Sequence, residues 1–105
     1  MTTPLRLGIA GLGTVGVGIV RIVQKHRPLL ATRAGCPVKI VAVSARSKTK
    51  NRDVDLSKYD WEDDPVTLAR RDDIDVFVEV MGGHEGPAKA ATEAAIAAGK
   101  DVVSA

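Results

Sequence analysis

The sequence predicts an α/β fold in which a doubly wound parallel sheet carries helices on both faces. Three observations support this. Apolar, β-branched segments alternate with helical patterns in the order strand, helix, strand, short helix, strand, helix, strand. The first strand runs directly into a glycine-rich turn that opens a helix. Hydrophobic residues make up 45% and charged residues 27% of the 105 positions, which suits one small soluble core. Parallel neighbours need right-handed crossover helices, and those helices cover both sheet faces.

Each element has its own signal. Residues 5–10, LRLGIA, are mostly apolar, as in a strand covered on both faces. From Thr14 a helical pattern takes over, with Val15, Ile19 and Ile22 on one stripe and Val20 and Val23 beside it. Lys25, His26 and Arg27 place positive charge in the last turn, where the helix dipole favours it, and Pro28 discourages continuation. His26 therefore reads as a helix-end charge and not as a ligand. Residues 29–37 read as loop or frayed helix, and VKIVAVSA (38–45) as a second buried strand. Residues 46–64 are polar and irregular, with Tyr59 and Trp61 expected to pack them onto the domain. Asp64-Pro65 offers an N-cap and a first-turn proline for a short helix over about 65–71. DIDVFVEV (73–80) is the third strand, ended by Gly82-Gly83. Pro87 opens an Ala-rich helix that Gly99 closes, and KDVVSA (100–105) starts a fourth strand.

Composition excludes several function classes. No apolar run reaches the roughly 18 residues of a membrane span, and MTTPLRLG lacks the order of a signal peptide. Cys36, the single cysteine, reads as a buried inert thiol that is compatible with a reducing compartment, so the expected location is cytoplasmic. Residues 1–52 hold ten Lys or Arg and no acid, while residues 53–105 hold thirteen acids against five basic residues. That split points to an anionic ligand near the first half or to two halves that neutralise each other. Nucleic acid is not the expected partner, because the charges are scattered and aromatics make up only 3%.

Gly11, Gly13 and Gly16 form a G-x-G-x-x-G between the first strand and the first helix. In a strand–turn–helix unit the first glycine permits the tight turn, the second lets a pyrophosphate approach the backbone, and the third lets helix and strand touch. The helix start offers free N–H groups and partial positive charge to an anion. The predicted fold is therefore Rossmann-like. The acid expected at the end of the second strand, for a ribose diol, is missing. SARSKTKNR stands there, with Arg46, Lys48, Lys50 and Arg52. Arg46 suits a 2′-phosphate, so NADP is accommodated and NAD is not excluded. Lys50 and Arg52 read as solvated surface charge. After the third strand, Met81, Gly82 and Gly83 are placed along the cofactor toward its nicotinamide. Glu79 needs partners at the end of a buried strand, for which backbone amides of the glycine turn or a water suffice. His84 reads as a surface residue, and no metal site is expected.

GLGTVGVG, SARSK, DVFVEVMGG and GKDVVSA, in that order, resemble the amino-terminal nucleotide-binding domain of homoserine dehydrogenase. The resemblance is weakest over 51–72. It implies an oxidoreductase that interconverts L-homoserine and L-aspartate 4-semialdehyde with NADP or NAD, in threonine and methionine biosynthesis. By this resemblance Gly11, Leu12, Gly13, Thr14, Val15 and Gly16 hold the pyrophosphate. Ala45, Arg46 and Lys48 meet the adenosine end and Met81, Gly82 and Gly83 the inner cofactor; Ser104 is a further cofactor-binding residue and with Ala105 begins the segment that follows. The family's catalytic lysine and acid–lysine pair fall beyond Ala105, as does a substrate and dimerisation domain through which homo-oligomers form. Residues 1–105 are thus expected to be a truncated Rossmann domain, inactive alone, whose sheet has an unpaired edge. A stand-alone NADP(H)-sensing module and the cofactor domain of another amino-acid-pathway dehydrogenase remain alternatives.

Overall fold

In the computed structural model, which describes residues 3–48, 52–81 and 86–104, β1 (Leu5–Ala10) turns into α1 (Thr14–Lys25). A second helix, α2 (Arg27–Ala34), leads to β2 (Val38–Ser44), and the following loop returns to the sheet at a two-residue strand, β3 (Asp60–Trp61). Then come α3 (Pro65–Ala69), β4 (Val76–Glu79), α4 (Pro87–Ala97) and β5 (Asp101–Ser104). All pairings are parallel, in the order β3-β2-β1-β4-β5. The chain moves outward from β1 on one side, then crosses back and moves outward on the other, which makes the sheet doubly wound.

Alternation along β1 sorts the core into two layers. Leu7 and Ile9 pack with Val17, Val20 and Val23 of α1 and with Ile40, Val43, Val76 and Val78. Ala10 faces the other way, with Ala42, Phe77, Leu68 and Ala69 of α3, and Ala91, Ala94 and Ala95 of α4. Small side chains on α4 let its backbone approach the sheet and α3. The register between β1 and β2 slips once, Leu7 facing Ile40 and Gly8 facing Ala42. The extra residue, Val41, lets Val41 and Ala42 both face the second layer while Ile40 and Val43 stay in the first.

Several expectations are corrected. The buried face of α1 is Gly16, Val17, Val20 and Val23, whereas Val15 and Ile22 are 53% and 51% exposed. The helix is turned by one residue, about 100°, from the predicted stripe. Contact between Gly16 and the end of β1 sets the rotation, and a glycine contributes nothing to a hydrophobic pattern. Residues 27–34 form a regular helix, with Pro28 in its first turn where the missing N–H is no loss. His26 joins the two helices, its N–H donating to the Ile22 carbonyl at 2.9 Å and its carbonyl accepting from Leu30 N–H at 3.0 Å. Of the three cations expected there, only Lys25 lies in the last turn of α1. Cys36 is half-buried, not buried.

β4 starts at Val76 instead of residue 73 because Asp75 is held at its threshold. The Asp75 carboxylate accepts from the Arg6 backbone N–H at 2.9 Å and from its guanidinium at 3.1 and 3.0 Å. This pair joins the basic and acidic halves of the chain. Arg71 instead gathers acids of its own half, Asp60, Glu62 and Asp73, at 2.7, 2.8 and 2.7 Å. Hydrogen bonds from Arg6 and Arg71 hold the Asp75 and Asp73 carboxyls below the usual carboxylate range. Tyr59 and Trp61 do pack the polar loop onto the first core layer. Among the described residues β5 is one edge of the sheet, with Val103 55% exposed.

Candidate functional site

The carboxyl ends of β1, β2 and β4 converge on a cleft of about 780 Å³. Gly11, Leu12 and Gly13 enter it after β1, Ser44, Ala45, Arg46 and Ser47 from the end of β2, and Val80 and Met81 after β4. Asp63 and Pro65 approach from the start of α3, and Pro87 and Ala88 from that of α4. This lies where the strand order reverses, the place where open α/β sheets bind ligands. A second cleft, of about 590 Å³, lies beside Val38–Val41 and contains no glycine turn.

The three glycines have different physical reasons. Gly11 takes φ +104°, and a Cβ there would come 2.7 Å from the carbonyl carbon and oxygen of Val80. Backbone bonds clamp it, Gly11 N–H donating to the Ser44 carbonyl at 2.8 Å and Val80 N–H to the Ala10 carbonyl at 2.9 Å. A Cβ on Gly16 would overlap the Gly11 carbonyl oxygen. Gly13 differs from both. Its φ of −80° suits any residue, and a Cβ would meet nothing within 4 Å. It is the N-cap of α1, yet no side chain caps the helix, so the first N–H groups have neither an intrahelical partner nor a side-chain cap.

Of the other expected residues, Ala45, Arg46 and Met81 line the cleft. Thr14 and Val15 are exposed in the first turn of α1, and Lys48 is exposed without lining the cleft. Glu79 is buried, 6% exposed, and accepts from Met81 N–H at 2.7 Å and from the Ser104 hydroxyl at 3.0 Å. A backbone amide or a water was expected as a partner, and Met81 supplies such an amide; Ser104, reaching across from β5, was not expected. Lys50, Gly82, Gly83, His84 and Ala105 lie outside the described residues. Among the described residues no group of three or more His, Cys, Asp or Glu could hold a metal ion, and no helix is long and apolar enough to cross a membrane.

Two charged cleft residues escaped the sequence reading. Arg52 is not solvated surface charge, because its Nε donates to the Leu12 carbonyl at 3.2 Å and its guanidinium carbon stands 5.7 Å from the Trp61 ring centroid. Asp63 lines the cleft, and its Oδ1 accepts from the Trp61 indole N–H at 2.9 Å. Both arrive because β3 pairs Asp60 with Ala42 and Trp61 with Val43, which returns the polar loop to the sheet. The available signal was Trp61 itself, an aromatic anchor in a polar run.

This topology, with a glycine turn and an uncapped helix start at the switch point, defines a Rossmann-like dinucleotide-binding domain. The family model for the NAD-binding domain of homoserine dehydrogenase matches residues 11–105, and the chain belongs to that family. It is 44% identical to the homoserine dehydrogenase of Bacillus subtilis over 88 residues, covering 77% of this chain and 19% of the relative. It is 37% identical to that of Mycobacterium tuberculosis over 102 residues, covering 97% of this chain and 22% of the relative. The crystal structure of Staphylococcus aureus homoserine dehydrogenase at pH 7.0 superposes with a TM-score of 0.87 at 31% identity, over 100% of this chain and 26% of that one. The enzyme from Thiobacillus denitrificans gives 0.87 and 31% over 98% and 23%. The chain thus spans about a fifth of the length of the relatives it matches.

Proposed function

We propose that this chain is the cofactor-binding part of a homoserine dehydrogenase-type oxidoreductase, interconverting L-homoserine and L-aspartate 4-semialdehyde with NADP or NAD in threonine and methionine biosynthesis. The observation that carries the cofactor half is Gly13. Gly11 and Gly16 are required by packing within the chain, but among the described residues nothing crowds position 13. The room left by its missing side chain serves a group outside the protein, beside uncapped helix N–H donors that suit a pyrophosphate.

In this reading residues 1–105 form one nucleotide-binding domain. The turn from Gly11 to Gly16 holds the pyrophosphate, Ala45 and Arg46 the adenosine end with Lys48 at its outer rim, and Met81 to Gly83 the nicotinamide side. Glu79 holds Met81 N–H and the Ser104 hydroxyl, and so keeps the ends of β4 and β5 in place. A bound nicotinamide supplies the hydride acceptor or donor. No residue of this chain is assigned to acid–base chemistry on the substrate, a role we place in the parts of the relatives that this chain does not cover. Homo-oligomerisation through those parts and a cytoplasmic location fit the same reading.

Gly13→Ala tests it. The variant should lower Tm only modestly, by the small cost of alanine at an N-cap, while NADPH affinity falls by at least about tenfold, because a methyl group then occupies the pyrophosphate's approach. Unchanged affinity would overturn the reading. Homoserine-dependent NADP reduction by the whole gene product tests the substrate half, and its absence would overturn that half alone.

A further inference from the structure

We propose that Arg52 is a second determinant of preference for the 2′-phosphorylated cofactor, with Trp61 as its positioning residue. The inference rests on the cofactor reading above. Arg52 belongs to the loop after β2, yet it donates to a carbonyl 40 residues earlier, in the middle of the glycine turn. The Trp61 ring flanks its guanidinium. Trp61 is itself fixed twice, by pairing with Val43 in the sheet and by the bond from its indole N–H to Asp63. A run of contacts therefore links Leu12, Arg52, Trp61 and Asp63 around one side of the cleft.

Among the described residues the charges lining this cleft are Arg46, Arg52 and Asp63, and the Asp63 carboxylate accepts from the indole. A phosphate monoester carries roughly −1.5 to −2 charge at neutral pH, whereas a ribose hydroxyl carries none. An arginine held beside an indole and hydrogen-bonded in advance loses little freedom when an anion arrives. Arg52 thus adds more attraction for the 2′-phosphorylated cofactor than for the unphosphorylated one, whose ribose hydroxyl is neutral. A merely structural arginine would support both cofactors equally.

The test measures calorimetric affinities of the protein for NADPH, NADH, adenosine 2′,5′-bisphosphate and 5′-AMP at one low salt concentration. Arg52→Met keeps the apolar stem of the side chain and removes its charged head. It should weaken NADPH and the bisphosphate about tenfold while NADH and AMP change less than about twofold. Arg52→Lys should recover part of the discrimination, and Trp61→Leu should lose part of it. Trp61 is the single tryptophan, so its fluorescence should respond to the bisphosphate in the parent and less in Arg52→Met. Equal losses for phosphorylated and unphosphorylated ligands, or unchanged discrimination, would overturn the inference. If Arg52→Met lowers Tm, the Arg52→Lys ratio of NADPH to NADH affinity decides instead: partial discrimination supports the role and undiminished discrimination opposes it. A folded parent that binds neither cofactor would overturn the underlying reading, a result distinct from a parent that binds both and discriminates without Arg52.

Discussion

Gly16→Ala and Gly18→Ala put the same methyl group on the same helix two residues apart, and the structure predicts opposite outcomes. At 16 the new Cβ would overlap the Gly11 carbonyl oxygen and lie 2.9 Å from the Gly11 carbonyl carbon. Both atoms are backbone, in a turn clamped to Ser44, so neither can rotate away. α1 must therefore retreat by more than about 1 Å before the contact becomes ordinary, which loosens Val17, Val20 and Val23 in the first core layer. Overpacking of this kind costs about 3 kcal/mol at its upper end, and the better helix propensity of alanine returns about 1 kcal/mol. The net loss of about 2 kcal/mol corresponds to a Tm lower by about 8–16 °C. At 18 a Cβ meets nothing within 4 Å, so only the propensity gain remains, about 0.5–1 kcal/mol. Thermal and urea unfolding followed by circular dichroism would measure both. A Gly16→Ala protein as stable as Gly18→Ala would refute the close approach of helix and turn.

Other variants test the site and the charges. Arg46→Ala should weaken NADPH more than NADH in a binding titration, and equal losses would remove its 2′-phosphate role. Glu79→Ala leaves Met81 N–H and the Ser104 hydroxyl without their acceptor and should lower stability by about 1–3 kcal/mol in urea unfolding. Asp73 and Asp75 titrate lower in the folded chain than in the unfolded one because arginines hydrogen-bond to them. Their stabilisation is complete above the unfolded carboxylate range near about pH 4 and is lost as pH falls through the folded values. Tm should therefore fall as pH drops below about 4, and Arg6→Met should make that fall shallower by releasing Asp75.

Most of the frame could be read from sequence because its signals are local. The apolar runs of β1, β2 and β4 name the central strands. Asp64 caps α3 through its bond to Val66 N–H at 2.9 Å, as Asp-Pro suggested. Gly99 at φ +78° closes α4, with Gly99 N–H on the Ile96 carbonyl and Lys100 N–H on the Ala95 carbonyl, both at 3.0 Å. Features set by distant contacts were not legible. Two residues leave no periodicity for β3, which exists because Val43 offers its edge to Trp61. The slip at Val41 hides in an apolar run with no alternation to break. The rotation of α1 depends on Gly16, which hydropathy ignores. Within the site the same division holds. The glycine turn and Arg46 follow from spacing, whereas Arg52 and Asp63 depend on where a 15-residue polar loop lands, and that is decided by Trp61.

The central claim is that the turn after β1 is a socket for a dinucleotide. Calorimetric titration of the purified protein with NADPH, and then with NADH, tests it most directly. The account predicts saturable one-to-one binding of both, tighter for NADPH. A sample with a cooperative unfolding transition that binds neither would contradict it.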